Sequence, residues 1–238
     1  MKNSFESNLI KIPAKEVVDE LYGKPPTKGE KDIAEFRKKK IKKPEKIRNQ
    51  EFFEQIKNWE NFYQEIFKIT PDFSELEISE KREGFDKLIV MAKGMTAQKL
   101  FDQCKELFPV TKYTEDDLDK IITSDRNAKK EAYAIWIRDR VEADEELKNL
   151  SADDVKAKKL ITETLEERLL QELEYFSQTK KHLDEKTATL CAGSRSSDGH
   201  VPGVDWHGDE FHVSWHSSGR CHENLRPREV VSCAGGGK

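Results

Sequence analysis

Histidine is concentrated near the C-terminus of this 238-residue chain, where it could bind a metal ion. Five of the six histidines follow Lys186. Imidazole and thiolate are the usual zinc ligands, and the candidates are His207, His212, His216, Cys221 and His222. Their spacing matches no familiar zinc module, and one strand would hold His212 and His216 about 13 Å apart. Metal binding therefore stays an alternative, and no cofactor is expected.

Nucleophilic catalysis has two candidates, Cys191 and Ser194. Either could pair with a histidine on paper. Neither is surrounded by a nucleophile-elbow motif or by the glycine cluster of an oxyanion hole. The sequence therefore favours a binding protein over an enzyme.

Large and small residues alternate along two short segments, 201–206 and 211–215. The large set is Val204, Trp206, Phe211, Val213 and Trp215, and the small or polar set is Gly203, Asp205, His212 and Ser214. Because side chains alternate between the faces of a strand, this pattern predicts a hairpin with one core face and one displayed face. The turn is expected at 207–210, and 229–232 is expected to form a final strand that closes the same sheet.

The amino-acid composition changes after Lys186. Lysine is abundant upstream, yet residues 187–237 contain no lysine, glutamine, methionine, tyrosine or isoleucine. A solvated surface has no reason to exclude lysine. Something besides solvation shapes this segment.

This segment resembles the variable proteins of diversity-generating retroelements, whose C-terminal variable region lies on a C-type-lectin-like fold. The residues that carry the resemblance are Cys191, Gly193-Ser194-Arg195, Asp198-Gly199, Val201-Pro202, Val204, Trp206, Val213, Trp215, Leu225-Arg226, Arg228 and Val230-Val231-Ser232. In that family a reverse transcriptase miscopies adenines, so that asparagine codons change to a set that includes His, Gly, Asp, Ser, Arg and Cys but excludes Lys, Gln and Met. The resemblance thus implies one origin for the many histidines and the absent lysines.

The resemblance also implies a binding surface and a scaffold within a variable region at about 195–232. The variable-type, ligand-binding positions are His200, Gly203, Asp205, His207, Gly208, Asp209, His212, Ser214, His216, Ser217, Ser218, Gly219, Arg220, Cys221 and His222. The scaffold positions are Val204, Trp206, Phe211, Val213, Trp215, Leu225, Arg226 and Arg228. A shallow sheet face makes no deep pocket, so the expected ligand is a macromolecule, with a protein favoured.

The upstream sequence indicates helices and strands of an α+β protein. An aromatic stripe at 49–68 predicts an amphipathic helix that covers its own domain or meets a partner. A second helical stretch is expected at 84–107, broken near Gly94, with Thr96 capping a new helix. The run Tyr133–Ile137 predicts a buried strand, 187–191 another short strand, and 162–176 a helix.

These elements suggest three parts: a basic flexible arm at 1–48, a helical module at 49–107, and a C-type-lectin-like ligand-binding domain at 108–233. Residues 1–50 hold 14 Lys and Arg against 8 Asp and Glu, so phosphate binding by the arm is the main alternative function, although nucleic acid is the less favoured partner. The sequence contains no stretch apolar enough for a membrane span and no apolar signal-peptide core. A cytoplasmic location is expected, with export by another route left open.

Overall fold

The computed structural model describes residues 10–11 and 43–233, with side chains described from Phe52 onward. The described residues divide into two compact units, a smaller one that ends at Leu76 and a larger one that includes Ile10 and residues 77–233. The predicted arm lies outside the described residues apart from residues 10–11 and the backbone of 43–48. Its flexibility and its phosphate binding stay predictions.

The smaller unit contains one long helix, α1 (Lys43–Phe67), which confirms the helix predicted at 49–68 and begins earlier. The rings of Trp59, Phe62 and Tyr63 contact one another at centroid distances of 5.2 to 6.0 Å. Tyr63 also contacts Phe73, at 6.0 Å, and is fully buried. Most of the aromatic stripe is therefore buried, whereas Phe53 and Phe67 stay half-buried.

The remaining helices and strands follow in a mixed order. The helices are α2 (Ala97–Leu107), α3 (Leu118–Ile121), α4 (Ala152–Ala157) and α5 (Leu165–Thr179). The strands are β1 (Ile10–Lys11), β2 (Glu77–Ile78), β3 (Lys87–Met91), β4 (Val110–Lys112), β5 (Ile122–Ser124), β6 (Tyr133–Ile137), β7 (Ala188–Leu190), β8 (Ser194–Ser196), β9 (Val201–His207), β10 (Glu210–His216), β11 (Leu225–Arg226) and β12 (Val230–Ser232). The expected α+β class is confirmed.

Two helices begin at threonine caps. Thr96 accepts a hydrogen bond from the backbone of Lys99 and starts α2, as predicted. Thr164 caps α5 in a capping box, in which the Glu167 side chain accepts from the Thr164 backbone. The helix predicted at 162–176 is thereby confirmed, with its start moved to Leu165 because Thr162 instead forms a β-bridge with Glu229.

The helix predicted over residues 84–94 is wrong. Residues 87–91 form β3, and four of its five residues are buried. The strand is bounded by Gly84 and Gly94, both at a φ of 82°. A short apolar run fits a buried strand as well as a helix, and only its neighbours decide between them.

The two largest sheets of the larger unit have five and three strands, and β5 and β8 form a separate two-stranded sheet. The five-stranded sheet has the order β11-β7-β9-β10-β4, and the three-stranded sheet has the order β12-β6-β3. The final strand does not close the hairpin's sheet, which corrects the prediction, because β12 pairs antiparallel with β6. Pro227 lies between β11 and β12 and has no N–H to continue the β11 ladder.

Helix α5 packs against both α2 and β3 and so links a helix of this unit to its three-stranded sheet. Residues 77–107, which the sequence analysis assigned to the helical module, lie in the same compact unit as residues 108–233. No helix among the described residues combines the length and the apolarity that crossing a membrane requires.

Candidate ligand-binding groove

An open groove of about 430 Å³ lies on the polar face of the β9–β10 hairpin. We call this surface the groove. It is lined by Tyr113, Glu185, Lys186, Thr187, Ala188, Asp205, Trp206, His207, His212, Ser214, His216, Arg220, His222, Asn224 and Leu225.

The hairpin has the two faces that its alternation predicts. Val213 pairs with Val204 across the hairpin, and both side chains are fully buried. His212 pairs with Asp205 on the opposite face, where both are half-buried. The turn residues Gly208 and Asp209 have φ values of 60° and 67°, the positive angles that a tight type I′ hairpin turn requires.

The two tryptophans of the core face are less buried than the aliphatic residues. Trp206 and Trp215 are both half-buried. The Trp206 ring stacks on His182 at a centroid distance of 3.4 Å, and Phe108 meets it edge-on at 6.1 Å. His182 in turn bonds to Glu172 at 2.8 Å, so a histidine–carboxylate pair supports one wall of the groove.

His212 connects three strands of the sheet. Its Nε2 lies 3.0 Å from the carbonyl oxygen of His207, which can only accept, so Nε2 donates. Its Nδ1 lies 3.0 Å from the Thr111 hydroxyl on β4 and accepts from it in the neutral ring. Burial raises the pKa of the neighbouring Asp205, although His212 and His207 oppose this shift. His212 is therefore a partly structural residue of the groove.

Ser214 and His216 form a second polar chain on this face. The Ser214 hydroxyl donates to the Gly203 carbonyl oxygen at 3.2 Å and lies 3.1 Å from His216 Nε2. Because that hydroxyl proton is already used, Nε2 is the donor in the second bond. Burial, assisted by Arg220, lowers the pKa of His216 to about 4. His216 is thus neutral at physiological pH.

The structure brings together only some of the variable-type positions. Asp205, His207, His212, Ser214, His216, Arg220 and His222 line the groove, as do the scaffold positions Trp206 and Leu225. The variable-type positions outside the groove lining are His200, Gly203, Gly208, Asp209, Ser217, Ser218, Gly219 and Cys221. Of these, His200 pairs with Asp198, and Ser218 bonds to Asp153 of α4 at 3.0 Å.

Six lining residues were missed by the sequence analysis: Tyr113, Glu185, Lys186, Thr187, Ala188 and Asn224. Tyr113 follows β4, which pairs parallel with β10, and its backbone N–H donates to the Val213 carbonyl. Its side chain is 72% exposed. Asn224 lies within the predicted variable region but was not assigned to the binding surface. The other five positions lie outside that region and reach the groove through tertiary contacts between distant segments, which no local signal indicates.

A layer of buried charge lies beneath the hairpin, formed by Glu163, Arg168, Glu172, Asp184 and Arg228 and called here the charged layer. Asp184 accepts from Arg228 at 2.6 Å and from Arg168 at 3.0 Å. Burial disfavours the charge of Asp184, but the two guanidinium groups lower its pKa below the ordinary value. Arg228, a predicted scaffold residue, also donates to Thr189 and to two backbone carbonyls.

Glu163 differs from the other residues of the charged layer because its carboxylate makes no hydrogen bond among the described residues. Its side chain is fully buried. Burial raises its pKa to about 8, against the opposing effect of Arg228 and Arg168. Glu163 is therefore mostly protonated at neutral pH.

The two nucleophile candidates, Cys191 and Ser194, are buried among structural contacts. Cys191 is fully buried, and burial raises its pKa well above the ordinary value. Ser194 is also buried, and its hydroxyl accepts from the Leu165 backbone at the start of α5. Within the described part of the chain, no three His, Cys, Asp or Glu side chains converge as metal ligands would.

Comparison with known proteins gives no relative for this chain. No protein-family model, no curated protein and no solved structure matches it.

Proposed function

We propose that this protein is a non-catalytic ligand-binding protein that displays a diversified surface on a C-type-lectin-like scaffold, like the variable proteins of diversity-generating retroelements. The observation that carries the proposal is that variable-type positions from different segments come together on one surface. Seven variable-type positions, drawn from β9, β10 and the loop after β10, line one groove. The aliphatic positions that alternate with them, Val204 and Val213, are fully buried.

The exposed part of this face, which includes His207, Arg220 and His222, can therefore change while the fold is kept. Exposed substitutions usually change stability by less than about 0.5 kcal/mol, whereas large-to-small substitutions in a core cost several times more. A mechanism that alters the polar positions and spares the buried ones would produce many surfaces on one scaffold. Asparagine-codon mutation gives the residue types found here.

The proposed ligand is a protein. The groove is open, and its charged side chains are balanced, with Lys186 and Arg220 against Glu185 and Asp205. A balanced, shallow surface with one highly exposed tyrosine is typical of protein interfaces, in which tyrosine is enriched. A polyanion would be met by an excess of positive charge.

Selection from a library tests the binding surface. Codons 205, 207, 212, 214, 216, 220 and 222 are randomised to the residues reachable from asparagine, and the displayed library is selected against several unrelated folded proteins. The proposal expects specific binders to most of them. A control library that randomises an equal number of exposed positions outside the groove, around Lys99 and Lys156, is expected to yield none. Equal success of both libraries, or failure of the groove library, contradicts the proposal.

The origin of the variation is tested in the flanking DNA. The proposal expects a reverse-transcriptase gene and an imperfect repeat of codons 195–232 that differs at adenines. Substitutions spread evenly over all four bases of such a repeat would contradict a retroelement mechanism while leaving the binding surface to the library test.

A further inference from the structure

Gly203 lies directly beneath the ring of His216 on the displayed face. A Cβ atom built on Gly203 would be 2.3 Å from His216 Nε2 and 2.5 Å from its Cδ2. Carbon and nitrogen atoms that do not bond stay well over 3 Å apart. The His216 ring thus occupies the space that any side chain at position 203 would need.

The position of the ring is held by the neighbouring serine. Ser214 pairs with Gly203 across the hairpin and connects the two residues, since it accepts from His216 and donates to the Gly203 carbonyl oxygen. With glycine at 203, the imidazole lies against the strand and is half-buried. The same ring is part of the groove lining.

We propose that residues 203 and 216 form a coupled specificity-determining pair, in which the size of residue 203 decides whether residue 216 lies on the sheet or extends into the groove. This inference rests on the proposed function, because both positions are of the variable type. Diversification then does not sample the two positions independently. With glycine at 203 the His216 ring can stay against the sheet, and any side chain there displaces the ring and changes the shape offered to a ligand.

The collision is with the far end of a flexible side chain, so the backbone can stay in place. Rotation of the His216 side chain would relieve it, at the loss of the Ser214 bond and of the ring's packing. The hairpin is expected to remain folded with serine at 203. The ring, however, would move into solvent.

The test is a double-mutant cycle with Gly203→Ser, His216→Ala and both together, read by melting temperature and by NMR titration of His216. In Gly203→Ser, the pKa of His216 is expected to rise from about 4 toward its ordinary 6.5, because the ring loses its burial. His216→Ala is expected to lower the melting temperature when glycine occupies position 203, but to have almost no effect when it is added to Gly203→Ser.

The matched control is Gly219→Ser, because a Cβ there meets only Asp153 Oδ2, at an ordinary 3.5 Å. It should leave the His216 titration unaltered. An unchanged His216 pKa in Gly203→Ser, additive melting effects, or failure of Gly203→Ser to fold even with alanine at 216 would each overturn the coupling. The cycle uses no ligand, so its failure is distinct from failure of the library selection, which would remove the proposed function.

Discussion

The charged layer and the groove use the same residue types on opposite sides of one hairpin. Arg228 and Asp184 are almost fully buried, and each has several hydrogen-bond partners. On the groove side, Arg220 is exposed, whereas Asp205 is half-buried and loses part of its hydration, which raises its pKa. A charge taken out of water is stable only if its partners replace the water, whereas a charge at a surface keeps its hydration. Position, more than residue type, therefore decides which residues can be exchanged.

The largest expected effect compares the two arginines. Arg228→Ala should destabilise the protein by about 3 to 5 kcal/mol, since removing one member of a buried pair leaves the other charge uncompensated. Arg220→Ala, the matched control, should change stability by less than about 0.5 kcal/mol. Denaturant unfolding of both variants measures the difference. Similar losses would show that the groove side is as structural as the charged layer.

The next effect concerns the unpartnered carboxyl of Glu163. Its folded-state pKa of about 8 lies above the ordinary value of 4.5, so the folded protein keeps a proton that the unfolded chain releases. The group's contribution to stability is complete below pH 4.5 and is lost as the pH rises toward 8, by about 1.4 kcal/mol for each pKa unit of difference. Glu163→Gln removes this dependence.

Unfolding measured from pH 5 to 8 checks that expectation. Glu163→Gln should gain stability relative to the unchanged protein as the pH rises, because glutamine stays neutral. A matched control is Glu185→Gln, which removes an exposed carboxylate and should run parallel to the unchanged protein over the same range. Parallel curves for Glu163→Gln would contradict a raised pKa at that residue.

A smaller effect separates structural residues of the groove from exchangeable ones. His212→Ala should cost about 1 to 2 kcal/mol, because it loses its hydrogen bonds to Thr111 and to the His207 carbonyl. His222→Ala should be nearly neutral, since His222 is exposed. Thermal melting of the two variants is the measurement. A neutral His212→Ala would place this residue with the freely exchangeable positions.

The smallest expected effect on stability is at Tyr113, which is 72% exposed. Tyr113→Ser should leave the melting temperature within about 1 °C while weakening the binders selected from the groove library by about tenfold, a loss of roughly 1.4 kcal/mol. Ile161→Ser, at another exposed apolar residue, should leave both unchanged. Equal affinities for the Tyr113 variant and its parent would remove Tyr113 from the interface.

Short-range sequence patterns determined several local elements of this protein. The alternation in 201–215 predicted the β9–β10 hairpin and the burial of Val204 and Val213, because a strand has a period of two. The aromatic spacing predicted α1, and Thr96 predicted the start of α2, because helix periodicity and capping depend on residues within a few positions of each other. These features need no knowledge of distant contacts.

Tertiary structure alone decided which distant segments meet. The apolar run at 87–91 became a strand because β6 offered it a partner, and 230–232 joined β6 instead of the hairpin's sheet. Tyr113 reached the groove through the pairing of β4 with β10, and Glu163 lost contact with water through packing around it. Strand pairing and burial join residues that lie far apart in the chain, so no local pattern records them.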